Sequence, residues 1–279
     1  MPVDGITTMV DVGRHRLEVT VFGSGLPAVV IEPSFGGWAR DWRAIAEDLA
    51  ADMTVVIYDR APYGASSPAR DARTPHDITN DLDGVLEAVG VKGPLVLVGH
   101  SAGGVYMRAY AARHMDRVAG MVLVESSHET QGPILRPLFS RKVRLRTALT
   151  TPQIMAESRQ SRRGGDRRSI IREWRTFKRV TDGRPMLSHG QLGDRPLIVV
   201  TCGPPDGGNS ADSVWQAWHG LHKDLARLSA NSRHVISESP GHYLNESDPE
   251  LLTAVIAEVV SSARTGAPLT EPVAASDSE

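Results

Sequence analysis

A chain of 279 residues is long enough to bury a substantial core and to form one large domain, with or without an insertion. Hydrophobic residues make up 41% of it, the formal net charge is -2, and Cys202 is the single cysteine, which excludes an intrachain disulfide and fits a reducing compartment. No apolar run approaches membrane-spanning length, and Met1-Pro2-Val3-Asp4-Gly5 lacks a basic stretch leading into an apolar one, so a soluble, cytoplasmic protein is expected.

The start of the chain reads as strands. Arg16-Leu17-Glu18-Val19-Thr20-Val21 alternates, and Ala28-Val29-Val30-Ile31 is continuously apolar, as in a strand covered on both faces. Trp42, Ile45, Leu49 and Ala50 then carry helical spacing over 39–50, and Val55-Val56-Ile57-Tyr58 is the next strand. A helix over about 75–89 places Ile78, Leu82, Val85 and Leu86 on one side. Leu95-Val96-Leu97-Val98 and Met121-Val122-Leu123-Val124 are strands separated by a helix over about 102–113.

The alternation stops for roughly seventy residues before it resumes. Residues 130–190 contain helical stretches, including 166–179, punctuated by Pro and Gly. Strands at Leu197-Ile198-Val199-Val200 and His234-Val235-Ile236 follow, with helices near 213–229 and 248–262. These elements predict an α/β protein with a mostly parallel central sheet flanked by helices and a helical cap insertion. The expected division is a core of residues 1–127 and 191–263, a cap of 128–190, and a tail of 264–279 whose small, polar composition points to disorder.

The segment 141–184 has fourteen Lys and Arg against four Asp and Glu, a net charge of +10 inside an otherwise acidic chain. Without aromatic interleaving or a nucleic-acid fold signature, it does not point to nucleic acid. It suits either a solvated helical face or attraction of an anionic substrate, with Arg162, Arg163, Arg167, Arg168, Arg172 and Arg175 as candidates.

The segment richest in chemistry is Gly99-His100-Ser101-Ala102-Gly103-Gly104, which follows the strand at 95–98 and opens a helix. A strand–turn–helix frame around G-x-S-x-G is what a nucleophile elbow requires, with Ser101 at the sharp turn. A serine hydroxyl needs a base, and His242 in Ser239-Pro240-Gly241-His242-Tyr243 lies just beyond the last strand. Its plain alternative is a loop histidine. His100 is badly placed within the elbow to serve Ser101, and His76, His128, His189, His219, His222 and His234 have weaker positions. Two carboxylates compete to orient the imidazole: Glu125 directly after the strand 121–124, and Asp206 in a Pro/Gly-rich loop after 197–200. Glu125 is favoured because an ionised group beside a buried strand needs a partner.

A tetrahedral intermediate needs two donors. Ala102 N–H supplies one by its place after Ser101, and Phe35 N–H in Glu32-Pro33-Ser34-Phe35-Gly36-Gly37-Trp38 is the best candidate for the other. The Phe35 side chain could equally belong to the core. Gly36-Gly37 is not followed by Lys-Ser/Thr, so a phosphate-binding loop is excluded. No spacing suggests a metal site, and no cofactor is expected.

With these residues in place, the chain resembles the α/β-hydrolase fold superfamily over most of residues 10–262. The resemblance is carried by Ser34-Phe35-Gly36-Gly37, Asp59-Arg60-Ala61-Pro62-Tyr63-Gly64, the elbow and Gly241-His242. It implies Ser101 as nucleophile, His242 as base, and Phe35 and Ala102 as oxyanion donors. Members place the acid after either of two strands, matching Glu125 or Asp206. Pro33-Ser34 replaces a familiar His-Gly pair before the oxyanion residue, and Ser101 argues against dehalogenase and epoxide hydrolase branches, which use aspartate there. The expected activity is hydrolysis of a carboxylic ester or lactone, with a small-molecule substrate that the basic cap would favour if anionic. Amide or aminopeptidase-like hydrolysis, acyl transfer to another acceptor, and a silent binding pocket are the alternatives.

Overall fold

The computed structural model describes residues 4–69, 73–139, 167–204 and 213–270. Its centre is an eight-stranded sheet built from β1 (Ile6–Asp11), β2 (Arg16–Phe22), β3 (Ala28–Glu32), β4 (Val55–Tyr58), β5 (Leu95–His100), β6 (Val118–Val124), β7 (Leu197–Gly203) and β8 (Ser232–Pro240). The order is β1-β2-β4-β3-β5-β6-β7-β8. The β1–β2 and β2–β4 pairs are antiparallel, and every other pair is parallel. Parallel pairing sends the C-terminal ends of β3, β5, β6, β7 and β8 to one edge, where loops gather chemistry.

The apolar runs are continuous because both sheet faces are covered. Val30, Leu97, Leu123 and Val199 face helices α2 (Pro75–Ala88), α3 (Ala102–Arg113) and α6 (Ser213–Ala226). Their neighbours Ile31, Val98, Val124 and Val200 face α1 (Arg43–Leu49), α7 (Leu244–Ser247) and α8 (Pro249–Thr265) on the other side. Burying each such side chain is worth about 1.5–3 kcal/mol relative to exposure, so alternate residues of one strand stabilise opposite layers. Helix α2 starts where the sequence provides a stop signal and a cap. Pro75 occupies the first turn, Thr74 Oγ1 accepts from Asp77 N at 3.2 Å, and the Asp77 carboxylate accepts from Thr74 N at 3.0 Å.

Several boundaries differ from expectation. The helix expected over 39–50 is a 3-10 turn at Ala39–Trp42 followed by α1, with Trp42 (φ -109, ψ 2) off helical geometry where its buried ring enters the core. Strand β8 is far longer than 234–236, and β1 extends the sheet beyond the alternating segment. Of the segment past 264, the described residues show α8 running to Thr265 and Leu269 packed against the α1/α8 layer, its N–H donating to Asn231 Oδ1 at 2.9 Å. Residues 271–279, the rest of the expected tail, lie outside the described residues.

The insertion between β6 and β7 contributes α4 (Gln131–Leu135) and α5 (Arg167–Val180) among the described residues. Helix α5 turns Ile170, Trp174 and Phe177 toward Phe35, Tyr63, Ala102 and Tyr106. Ser169 Oγ and Arg172 Nη1 both donate to Ala69 O, at 2.6 and 3.0 Å, pinning its first half to the core. Arg172 is therefore a docking residue. Arg168 and Arg175 are exposed, and Arg162 and Arg163 lie outside the described residues.

Candidate functional site

Ser101 joins β5 to α3 with φ 54 and ψ -116, a conformation that L-residues adopt only under constraint. Adjacent strands impose that constraint: Ser101 N donates to Val124 O at 3.0 Å, and Ser101 O accepts from Gly104 N at 3.1 Å and Ser127 N at 2.9 Å. The hydroxyl does not cap α3. Gly103 is required by a close approach, because a Cβ there would collide with Glu32 O and lie 2.7 Å from Pro33 O. The elbow helix therefore rests directly on the loop that leaves β3.

Glu125 is the second non-glycine residue with positive φ among those described, at 44. Glu125 N donates to Val200 O at 2.8 Å, which bends the chain off the end of β6. Three donors meet its buried carboxylate: Cys202 N at 2.8 Å on Oε1, and Trp218 Nε1 and His242 Nδ1, each at 3.1 Å, on Oε2. Burial alone would raise its pKa. The hydrogen bond from His242, the nearby His222 and the Cys202 amide outweigh that cost and hold it down to about 2. An ionised carboxylate only accepts, so His242 carries its proton on Nδ1 and presents Nε2 as an acceptor. The imidazole remains 39% exposed.

His100, the elbow residue badly placed to serve Ser101, has another task. Its Nε2–H donates to His242 O at 2.8 Å, and its ring lies 5.0 Å from the His242 ring. Burial, helped by His242, pushes its pKa down to about 3, so it stays a neutral strut between elbow and histidine loop. Ser101 and His242 thus share one strutted edge, although no hydrogen bond joins their side chains among the described residues. Asp206, the rival acid, lies outside the described residues.

The turn Ser34-Phe35-Gly36-Gly37 is closed by Gly37 N donating to Ser34 O at 3.0 Å, with Gly36 at φ 73. A side chain would resist that left-handed position. Phe35 packs with Ala102 and Val105, so the candidate donor loop and the elbow share one apolar cluster. Its ring also meets Trp174 (5.5 Å) and Phe177 (6.3 Å) of α5, giving the Phe35 side chain both core and wall character.

Sequence reasoning missed the buried charges that brace this edge. Arg108 on α3 donates to Glu129 Oε1 (3.0 Å), Ser126 Oγ (2.8 Å) and Ser127 O (2.7 Å), fastening the loop after Glu125. Beneath it, His222 Nε2–H donates to Ser126 O at 2.9 Å. Its Nδ1 must then accept from Thr201 Oγ1 (2.6 Å), which in turn accepts from His234 Nε2 (2.6 Å). A second cluster joins Glu32, Tyr58, Arg60, Tyr106 and Glu173. Two signals pointed to it: Glu32 ends an otherwise apolar strand, and Glu173 falls at helical spacing between Ile170 and Phe177. Among the described residues, no group of three or more His, Cys, Asp or Glu is arranged to hold a metal ion. No described helix is long and apolar enough to cross a membrane.

Comparison with known proteins agrees with this architecture. The family described as "alpha/beta hydrolase fold" matches residues 27–163, from β3 through the elbow into the insertion. An uncharacterized protein, YqjL, of Bacillus subtilis (strain 168) is 25% identical over 252 residues, covering 90% of each chain. Among solved structures, a thermophilic esterase from Thermogutta terrifontis aligns with a TM-score of 0.63 at 21% identity, covering 94% of this chain and all of that one. The enol-lactonase from Burkholderia xenovorans LB400 aligns with a TM-score of 0.64 at 17% identity, covering 91% of this chain and all of that one. Sheet order, elbow, inserted helix and family match agree, and the chain has the α/β-hydrolase fold.

Proposed function

We propose that the protein is a serine hydrolase that cleaves a carboxylic ester or lactone through an acyl-enzyme. Ser101 Oγ attacks the substrate carbonyl as His242 Nε2 takes its proton, and the carbonyl oxygen becomes an oxyanion held by Phe35 N–H and Ala102 N–H. The imidazolium formed is stabilised by Glu125 and returns the proton to the departing alkoxide. Water, deprotonated by His242, then attacks the acyl carbon and releases the acid and Ser101. Substrate entry must draw Ser101 Oγ and His242 Nε2 into hydrogen-bond range, a tightening common when a site fills.

The observation carrying this reading is the 3.1 Å Glu125–His242 hydrogen bond at the edge where Ser101 occupies its constrained turn. An imidazole with Nδ1–H fixed on an ionised carboxylate is the base such a serine needs. The esterase and lactonase with this fold support carbonyl substrates, and the single cysteine suits a reducing, cytoplasmic setting. Turnover of matched esters, lactones and amides by the protein and by Ser101→Ala tests it. Ester or lactone turnover lost in the variant is expected. Amide turnover exceeding that of the matched ester would move the assignment to an amidase, and binding without turnover would identify a silent pocket.

A further inference from the structure

The cluster around Arg60 takes no part in the proton transfers above, yet it lies directly behind the loop that carries Phe35. Arg60 is 2% exposed, and Glu32 and Glu173 are fully buried. Its Nη1 donates to the Glu32 carboxylate and to Pro33 O (2.9 Å), while Nη2 donates to Ser34 O (3.0 Å) and Glu173 Oε1 (3.2 Å). Tyr106 OH also donates to Glu173 Oε1 at 3.2 Å, and the guanidinium lies over the Tyr63 and Tyr106 rings at 5.3 and 5.2 Å. Four acceptors on two segments, 32–34 and α5, thus fix one planar cation. Lysine, a point donor on a flexible stem, could not reproduce that fork.

The consequence follows from peptide geometry. The Ser34–Phe35 bond is trans, so its C=O and N–H point in opposite directions within one plane. A cation gripping Ser34 O therefore turns Phe35 N–H away from the buried cluster. It also draws electron density from the amide and strengthens the N–H as a donor. Gly37 N, the second donor to Ser34 O, holds the same orientation from within the turn. Glu173 belongs to α5, so the cap helix supplies part of the grip.

We propose that Arg60 is a positioning residue for oxyanion stabilisation. It orients the Ser34–Phe35 peptide so that Phe35 N–H meets the developing oxyanion, and Glu173 ties that orientation to the seating of the cap helix. This rests on the acyl chemistry proposed for Ser101.

The test compares the parent protein with Arg60→Lys and Glu173→Gln, using a small p-nitrophenyl ester, a boronic acid that forms a tetrahedral adduct with serine, and the product acid. Loss of one oxyanion donor costs about 10²–10³-fold in kcat. For folded Arg60→Lys, kcat is expected to fall about 100-fold with KM within about threefold of the parent. Boronate affinity should fall in step with kcat/KM, and product affinity should hold. Glu173→Gln should shift the same quantities in the same direction by a smaller factor. Unchanged kcat and boronate affinity in folded Arg60→Lys would overturn the proposal, as would a raised KM alone.

If Arg60→Lys does not fold, the structure of the parent's boronate adduct decides. A boronate oxygen on Phe35 N with Arg60 still on Ser34 O is expected, and a Phe35 N–H turned elsewhere would overturn the proposal. A parent protein that neither hydrolyses esters nor binds boronate would instead remove the underlying chemistry.

Discussion

Glu125 Oε2 accepts a 3.1 Å hydrogen bond from His242 Nδ1 across 117 positions of sequence, and Trp218 Nε1 reaches the same oxygen from α6. The carboxylate, the imidazole and the indole come from three separate segments: the turn after β6, the loop after β8, and α6 between β7 and β8. Replacing Glu125 with glutamine preserves size while removing the charge that balances an imidazolium. Glu125→Gln should lower kcat/KM by about 10²–10⁴-fold in steady-state kinetics, whereas Asp206→Asn should stay within about threefold. The reverse ranking would transfer the acid's role to Asp206.

Trp218→Phe removes one of three donors to Glu125 and little of the packing. The lost hydrogen bond should cost about 1–3 kcal/mol in urea unfolding, because it ends on a buried charge. A kcat reduction of about tenfold should accompany it, as His242 becomes less firmly oriented.

Arg108 and Glu129 are both nearly fully buried and ion-paired at 3.0 Å. Arg108→Met leaves Glu129 ionised without its partner and unfastens Ser126 and Ser127. A loss of about 3–5 kcal/mol in unfolding free energy is expected, with a correspondingly lower Tm.

Acid should weaken the fold in two stages. Burial holds His222 and His234 down to about 4, against the pull of Glu125 on His222, so both are neutral in the folded protein and protonate more readily when it unfolds. Their contribution is complete above the ordinary histidine value of 6.5 and is lost as pH falls toward 4. Glu125, depressed to about 2, contributes fully above the ordinary value of 4.5 and loses that support as pH falls toward 2. Tm measured against pH should therefore decline from about 6.5 downward. His234→Gln should flatten the upper part of that decline, and Glu125→Gln the lower part.

The exposed Arg168 and Arg175 of α5 are the described residues on which an anionic preference can be tested. The double Arg168→Gln/Arg175→Gln variant should lose at least about threefold in kcat/KM for a carboxylate-bearing ester at low salt. Activity on the neutral analogue should be unchanged. Equal effects on both esters would end the case for electrostatic selection by this helix.

The inner strands and the elbow were legible because one local pattern encodes them: an apolar run such as Leu95–Val98 needs cover on both faces, and Gly99 through Gly104 can turn sharply. Strand β1 gave no such signal, since an edge strand with Ile6 76% exposed carries no buried run. Ser101, His242 and Glu125 stood out because each follows a strand end at the edge where parallel topology gathers loops. Asp206 shared that signal, so spacing alone could not separate the two acids. Arg60, Glu173 and Arg108 stayed hidden because their partners are distant; Arg60 and Glu173 are 113 positions apart. A charge reads as surface until its counter-charge is found.

The most direct measurement is mass spectrometry of the protein after exposure to a fluorophosphonate, with the modified residue located by peptide sequencing. One adduct per chain on the Ser101 peptide is expected, forming much more slowly in folded His242→Ala. A protein that hydrolyses esters while Ser101 remains unmodified, or that keeps its turnover as Ser101→Ala, would contradict the account.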